Sequence, residues 1–374
     1  MLQLLLGGSG SGKTTLLYQR IRARAEKGEK SILLVPEQFT SSTEGRIYRE
    51  LGDALSGMVE SFSFTSLAEK ILSTEGGTAV QTLSDAGRAV LVRRALEELQ
   101  DNVHYYHRHR RSAAFCQMAA QTIDELKSAG LSGQQLAQLA GACGAESGKL
   151  SELALIFQGY ETLLARSGMD PSDRLELAGA RLEEALARHS LPEFLRDRAV
   201  FIDEFDTFNA PKKRLLGVML AALPSVTVAL CDDGAPLLPG DLSLFSGAKQ
   251  VAAQLRQLAR KNGAEVAVPQ LLRKDLRHRN APGLAAVAEL LETGSCTADA
   301  PAGEVRLFAA PSREEEARAA AGAIRRLMRQ GVRCGKIAVV CRDITKYRAA
   351  VRYEFRMAEI PLYCDEPTTP EFSA

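Results

Sequence analysis

The stretch LLLGGSGSGKTTLLYQRI, residues 4–21, decides the fold. Residues 4–6 are apolar without alternation, which predicts a strand buried on both faces. Gly7, Gly8, Gly10 and Gly12 then allow positive φ and let backbone N–H groups approach a ligand closely. Gly7, four residues, then Gly12, Lys13 and Thr14 satisfy G-x4-G-K-[ST], the spacing of a phosphate-binding loop between a strand and a helix. Residues 15–24 continue as that helix, with its N-terminal dipole facing the anion.

The pattern assigns a role to each position. Gly7, Gly8, Ser9, Gly10, Ser11, Gly12, Lys13 and Thr14 form the nucleotide cradle. Lys13 reaches the β- and γ-phosphates and is expected to face solvent when no nucleotide is bound, its charge matched only by phosphate. The Thr14 hydroxyl is a ligand for Mg²⁺, so ATP and Mg²⁺ are the expected cofactors. A plain glycine turn is the alternative, but a turn needs one or two glycines and no Lys-Thr.

With 374 residues, 45% hydrophobic and 25% charged, the chain is globular and long enough for two or three domains. A formal net charge of +1 means that any nucleic-acid surface must be a local patch. Cys116, Cys143, Cys231, Cys296, Cys334, Cys341 and Cys364 form no C-x2-C pair, which argues against zinc or a disulfide framework. They read as small core residues in a reducing compartment. The N-terminus has no basic leader and no apolar run approaches the ~20 residues of a membrane span, so no membrane partner is expected and the localisation is cytoplasmic by default.

Outward from the loop, SILLVPEQFT (31–40) reads as a second buried strand stopped by Pro36, and VESFSFTSLAEKIL (59–72) as a strand passing into a helix. Residues 85–187 carry long helical periodicity and read as a helical insertion. Strand texture returns at AVFIDEF (199–205) and VTVALCDD (226–233), each ending in an acid. Residues 280–304, rich in Pro, Gly, Ala and Thr, read as a loop or linker. A further α/β stretch starts near Val305 with VRLFAAP, a helix over 313–330 and the strand KIAVVCR.

Asp203 and Glu204 supply the second carboxylate site that hydrolysis needs. The aspartate can hold the Mg²⁺ water shell, and the glutamate can orient or deprotonate the attacking water, which makes Glu204 the catalytic candidate. A loop or N-cap acid pair is the structural alternative. About 190 residues separate Lys13 from Asp203, far more than one α/β unit requires. A helical domain interrupting the first RecA-like domain, as in superfamily 1 helicases, has this arrangement. LSGQQ (131–135) and CDEPTT (364–369) resemble ABC-transporter motifs but stand about 230 residues apart. LSGQQ is read as a helix start capped by Ser132. The basic run RKDLRHR (273–279) suits a kinase lid or a solvated helix end, so an independent P-loop ATPase, ABC-like, or a small-molecule kinase stays the alternative.

The N-terminal loop, LVPEQFT, SFSFTSLA, HYYHRHRRSAAFCQMAAQTIDELKSAGLS, FIDEFDTF, KIAVVCRD and AEIPLYCDE, in this order, resemble the N-terminal part of the AddB/RexB family. Members of that family are the AddB component of the bacterial AddAB ATP-dependent helicase-nuclease, which processes double-strand breaks for homologous recombination. The resemblance implies a helicase-like scanning module that reads a hotspot sequence in a passing strand, with AddA as heterodimer partner and main motor. Single- and double-stranded DNA are the implied substrates. Gln38 and Thr40 match the motif facing single-stranded DNA, and Phe64 matches an aromatic position of the same channel. Core packing is the alternative for Phe64, and a solvated surface the alternative for DNA contact at HRHRR (107–111).

The family often has Asp-Gly-Phe where this chain has Asp203-Glu204-Phe205, which puts a silent ATP site in doubt. The family's nuclease domain and iron–sulfur cysteines are expected to lie beyond Ala374, so a fragment with no nuclease activity and no cluster is expected. The expected fold is α/β. It has a RecA-like P-loop domain of superfamily 1 type (1–84 and 188–279), an inserted helical subdomain (85–187), a linker (280–304) and the start of a second RecA-like domain (305–374).

Overall fold

The structure, a computed structural model, describes residues 1–76, 82–144, 147–296 and 304–364. The chain divides into two units, 1–298 and 299–374.

In the first unit β1 (Leu2–Gly7) leads to α1 (Lys13–Ala25), β2 (Ser31–Leu34) to α2 (Thr40–Leu51) and α3 (Asp53–Ser56), and β3 (Val59–Phe62) to α4 (Phe64–Glu75). Then come α5 (Asp85–Glu98), α6 (Ala113–Ser128), α7 (Gly133–Ala140), α8 (Ser147–Ser167) and α9 (Pro171–Ala187). The chain returns to the sheet with β4 (Ala199–Ile202), α10 (Ala210–Ala222), β5 (Ser225–Cys231), α11 (Ser246–Lys261), β6 (Gln270–Leu272) and α12 (Pro282–Thr293).

The strands form one parallel sheet in the order β3-β2-β4-β5-β1-β6. Parallel neighbours need crossovers, and here helices on both faces supply them. Leu4, Leu6, Ile32, Leu34, Val200, Ile202, Val228 and Leu230 enter the core under α4, α9, α10 and α11. Leu5, Leu33, Phe201 and Ala229 enter the opposite core under α1 and α2. Alternate residues of one strand thus serve two cores, which is why β1, β2, β4 and β5 read as largely apolar runs. All strands end at one edge, where the loops after β1, β2, β4, β5 and β6 gather.

Helices α5 to α8 have a core of their own, built on Val92, Leu96, Phe115, Ile123, Phe157 and Tyr160. The chain enters and leaves this insert side by side, with the Leu83 N–H donating to the Met169 carbonyl at 3.0 Å. Ser132 caps α7: its hydroxyl accepts from the Gln135 N–H while the Gln135 side chain accepts from the Ser132 N–H. LSGQQ is therefore a capped helix start.

Three expectations change. Helix α9, read as part of the insertion, buries Leu175, Ala178 and Leu182 in the sheet core. Helical periodicity shows an apolar stripe but not which core receives it. Within 280–304 stands α12, opened by a proline in its first turn, where a proline costs no hydrogen bond. Of the seven cysteines only Cys116 is buried.

In the second unit α13 (Arg313–Arg329) and α14 (Ile344–Met357) pack through Ala317, Ala321, Ile324, Val351 and Phe355. Arg318 forks onto the Glu354 carboxylate at 2.9 and 3.3 Å. VRLFAAP and KIAVVCR, expected as strands, make no ladder among the described residues, and Leu307, Phe308 and Val340 are exposed. Strand pattern is potential only, realised when a neighbour takes up the backbone N–H and C=O groups. The CDEPTT stretch past Cys364 lies outside the described residues.

Candidate functional site

The glycine-rich loop sits at the C-terminal end of β1, the strand between β5 and the edge strand β6. Gly12 has φ 90°, a left-handed conformation that glycine adopts without strain, and it turns the chain into α1. A Cβ on Gly7 would stand 2.6 Å from the Leu272 carbonyl, so β6 closes on the loop only because the position is glycine. No side chain caps the N-terminus of α1 and its first turn holds no acid, which leaves N–H donors for an anion. The Ser11 hydroxyl is buried without a hydrogen-bond partner, an unmet polar group that a phosphate oxygen suits.

Lys13 is not solvent-facing. Its ammonium donates to the Gly7 carbonyl at 2.7 Å and the Gly8 carbonyl at 2.8 Å. Burial pulls its pKa down, with the charge of Asp203 opposing. The loop carbonyls thus hold the cation in place, a role that the spacing of the motif does not reveal.

Strand β4 delivers Asp203, which is buried and donates its N–H to the Leu34 carbonyl at 3.1 Å. Its carboxylate accepts from the Glu204 N–H at 3.0 Å, and Thr14 lines the same cavity beside it. Burial pushes the Asp203 carboxyl up, while the neighbouring Thr14 hydroxyl, the Glu204 N–H and the charges of Arg46 and Lys13 pull it back. Thr14 and Asp203, distant in sequence, together offer the oxygen pair that a small divalent cation takes.

Glu204 lies beside them, its carboxyl raised by desolvation and then by Asp203, with Arg46 opposing. It has φ 65°, an uncommon conformation for a residue with a Cβ. Such strain is characteristic of functional sites. Glu204→Gly should therefore raise stability, by up to about 1 kcal/mol after the entropy cost of glycine. A loss above that size in urea denaturation would show that the Glu204 side chain anchors the loop.

A cavity of about 190 Å³ opens against the acid pair, lined by Thr14, Tyr18, Thr43, Arg46, Asp203 and Glu204. The Arg46 guanidinium lies 4.9 Å over the Tyr18 ring, and burial pushes the Tyr18 hydroxyl up to about 12. A second cavity of about 600 Å³ adjoins the glycine loop, with Gly8, Ser11, Asp232, Leu271, Lys274 and Glu292 among its walls.

The RKDLRHR run is neither a helix end nor remote. The Leu276 N–H donates to the Gly10 carbonyl at 3.0 Å, and the Arg277 guanidinium reaches the Ser9 hydroxyl at 3.0 Å. Asp275 fixes the turn by accepting from the Arg277 and His278 N–H groups. The sequence does not mark Arg277, because β6, only three residues long, carries no strand signal. Recognising it as a neighbour of β1 would have placed the basic run at the loop.

Gln38 is exposed in the turn after β2, and Thr40 opens α2 with its hydroxyl bonded to the Glu37 carbonyl. Both lie at the same sheet edge as the glycine loop. Phe64 does not offer a stacking face. It is 2% exposed, packed edge-on against Phe205 and Phe208 at 5.3 and 6.1 Å, with the Lys212 ammonium 5.6 Å from its ring. The strand ends at Phe62, so Phe64 turns inward as the first residue of α4.

Fold and site define a parallel α/β protein with a glycine-rich strand-to-helix loop and a buried acid at a nearby strand end. The chain belongs to the family described as ADDB, N-terminal, which it matches over residues 4–288. It is 33% identical to the B subunit of the ATP-dependent helicase/deoxyribonuclease of Desulforudis audaxviator and 32% identical to those of Symbiobacterium thermophilum and Moorella thermoacetica. These alignments cover 97 to 98% of this chain and 32% of each relative, so the chain spans about a third of their length. Among the described residues no helix is long and apolar enough to cross a membrane.

Proposed function

We propose that this chain is the nucleotide-binding, helicase-like DNA-scanning module of an ATP-dependent helicase-nuclease that acts in double-strand break repair by homologous recombination, paired with an AddA-type motor. The observation that carries the reading is that Thr14 and Asp203 line one cavity, because this brings the helix after the glycine loop to the acid at the end of β4. The loop amides and Lys13 hold the phosphates of ATP, and Arg277 adds a second cation at Ser9. Thr14 and Asp203 hold Mg²⁺, which when bound neutralises phosphate charge. Glu204, with its raised pKa, orients or deprotonates the attacking water. Gln38 and Thr40 face a passing single strand, and Phe64 supports that surface from within the core.

Calorimetric titration with ATP, with and without Mg²⁺, tests the site. Wild type should bind more tightly with Mg²⁺, and Asp203→Asn should reduce that gain to about threefold or less, since the amide loses the charge that holds the cation. An equal Mg²⁺ dependence in both proteins would remove Asp203 from the site.

A further inference from the structure

The insert carries a second charged feature, remote in sequence from the nucleotide loop. Residues 107–111 are His-Arg-His-Arg-Arg, on a short 3₁₀ turn (His107–His109) that precedes α6. The segment is held rigidly from both sides. The Glu152 carboxylate on α8 accepts the N–H groups of His104, Tyr105 and Tyr106 at 2.8 to 3.2 Å. The Tyr106 and His109 rings lie against Phe115 at 5.2 and 5.8 Å, and Phe115 belongs to the insert core.

On this frame His107, Arg108, His109 and Arg111 are exposed and Arg110 half-buried. Tyr105 stands beside them, 60% exposed, with the Lys149 ammonium 6.0 Å from its ring. The arginines of the neighbouring helix contrast with these. Arg88 pairs with Asp85 and Asp124, Arg93 with Glu97, and Arg94 with Glu98. Among the described residues no carboxylate pairs with Arg108, Arg110 or Arg111.

We infer that this turn is a docking surface for the phosphate backbone of double-stranded DNA, separate from the nucleotide site and from Gln38 and Thr40. A cluster of cations without counter-ions, fixed on a rigid base, gains by releasing the ions condensed on a polyanion. Duplex suits it better than a single strand for two reasons. A duplex carries a charge every ~1.7 Å of axis, both strands counted, and each cation that meets it releases more condensed counter-ion than on a single strand. Single-strand surfaces rely on successive exposed aromatic rings for stacking, and this patch exposes Tyr105 without such a series. Phosphate contact of this kind positions DNA and reads no sequence.

The test is fluorescence anisotropy of a labelled 20-base-pair duplex over a salt series, with wild type and the triple variant Arg108→Ala, Arg110→Ala, Arg111→Ala. Each lost phosphate contact lowers the slope of log affinity against log salt by about 0.9, so the slope should shrink by roughly 2 to 3. Affinity at low salt should fall about 10- to 100-fold, while the triple lysine variant keeps most of it. Single-strand affinity should change less than duplex affinity. ATP affinity should be unchanged in the triple alanine variant, which separates this surface from the nucleotide reading. An unchanged salt slope in the alanine variant overturns the proposal, and so does an equal loss for single strands. Loss of AddA binding with duplex affinity intact would likewise overturn it, marking the patch as a protein interface.

Discussion

Lys13→Ala is expected to weaken ATP binding about 100-fold while leaving the fold in place. The ammonium supplies charge-assisted hydrogen bonds, each worth about 1.5–3 kcal/mol. Part of that gain is already spent, because Lys13 must leave the Gly7 and Gly8 carbonyls to meet a phosphate. A net loss near 3 kcal/mol corresponds to the stated factor. ATP should lose more than ADP, since Lys13 reaches the γ-phosphate as well. The two freed carbonyls lie in a loop that lines an open cavity, so thermal stability should fall by no more than about 1 kcal/mol. Calorimetric affinities within threefold of wild type would remove Lys13, and with it the phosphate role of the loop.

Most of this site was legible because its chemistry is local in sequence. Glycine spacing, the lysine and the following helix occupy one stretch, and the acid pair directly follows an apolar strand. What stayed hidden depends on tertiary neighbours. Arg277 reaches Ser9 only because the three-residue β6 pairs with β1. Lys13 looks free in the sequence because its partners are backbone carbonyls, which no side-chain pattern records. Phe64 follows a strand whose register points to one face, yet it begins a helix and turns into the core. VRLFAAP and KIAVVCR show the opposite failure, strand pattern without a strand, because pattern cannot supply the neighbour that pairs with it.

Asp170→Ala should destabilise the first unit by about 3–5 kcal/mol, the cost of leaving a buried ionic network with one partner missing. Asp170 is 1% exposed at the start of α9, the point where the chain returns from the insert to the sheet. It does not cap its helix. Its carboxylate accepts from the Tyr160 hydroxyl of α8 at 2.6 Å and from the Lys127 ammonium of α6 at 2.8 Å. Lys127 also reaches Asp173 at 2.9 Å, so it keeps one counter-charge in the variant. The buried Tyr160 hydroxyl loses its acceptor, and this orphaned donor carries much of the cost. Asp170→Asn, which keeps an acceptor oxygen, should lose less.

The Lys127 pKa gives the loss a pH signature. Burial pulls the ammonium down, but hydrogen bonds and charge from Asp170 and Asp173 outweigh it and leave the pKa above its ordinary value. A raised lysine contributes stability that is fully present below its unfolded pKa and is lost as pH rises through the folded one. The gap between wild type and Asp170→Ala should therefore hold through neutral pH and narrow only in the strongly alkaline range. Urea denaturation at pH 7 and above pH 11 measures both points. A pH 7 difference below 1 kcal/mol would mean that packing of α9 against α4 and α10, not the ionic network, joins the insert to the sheet.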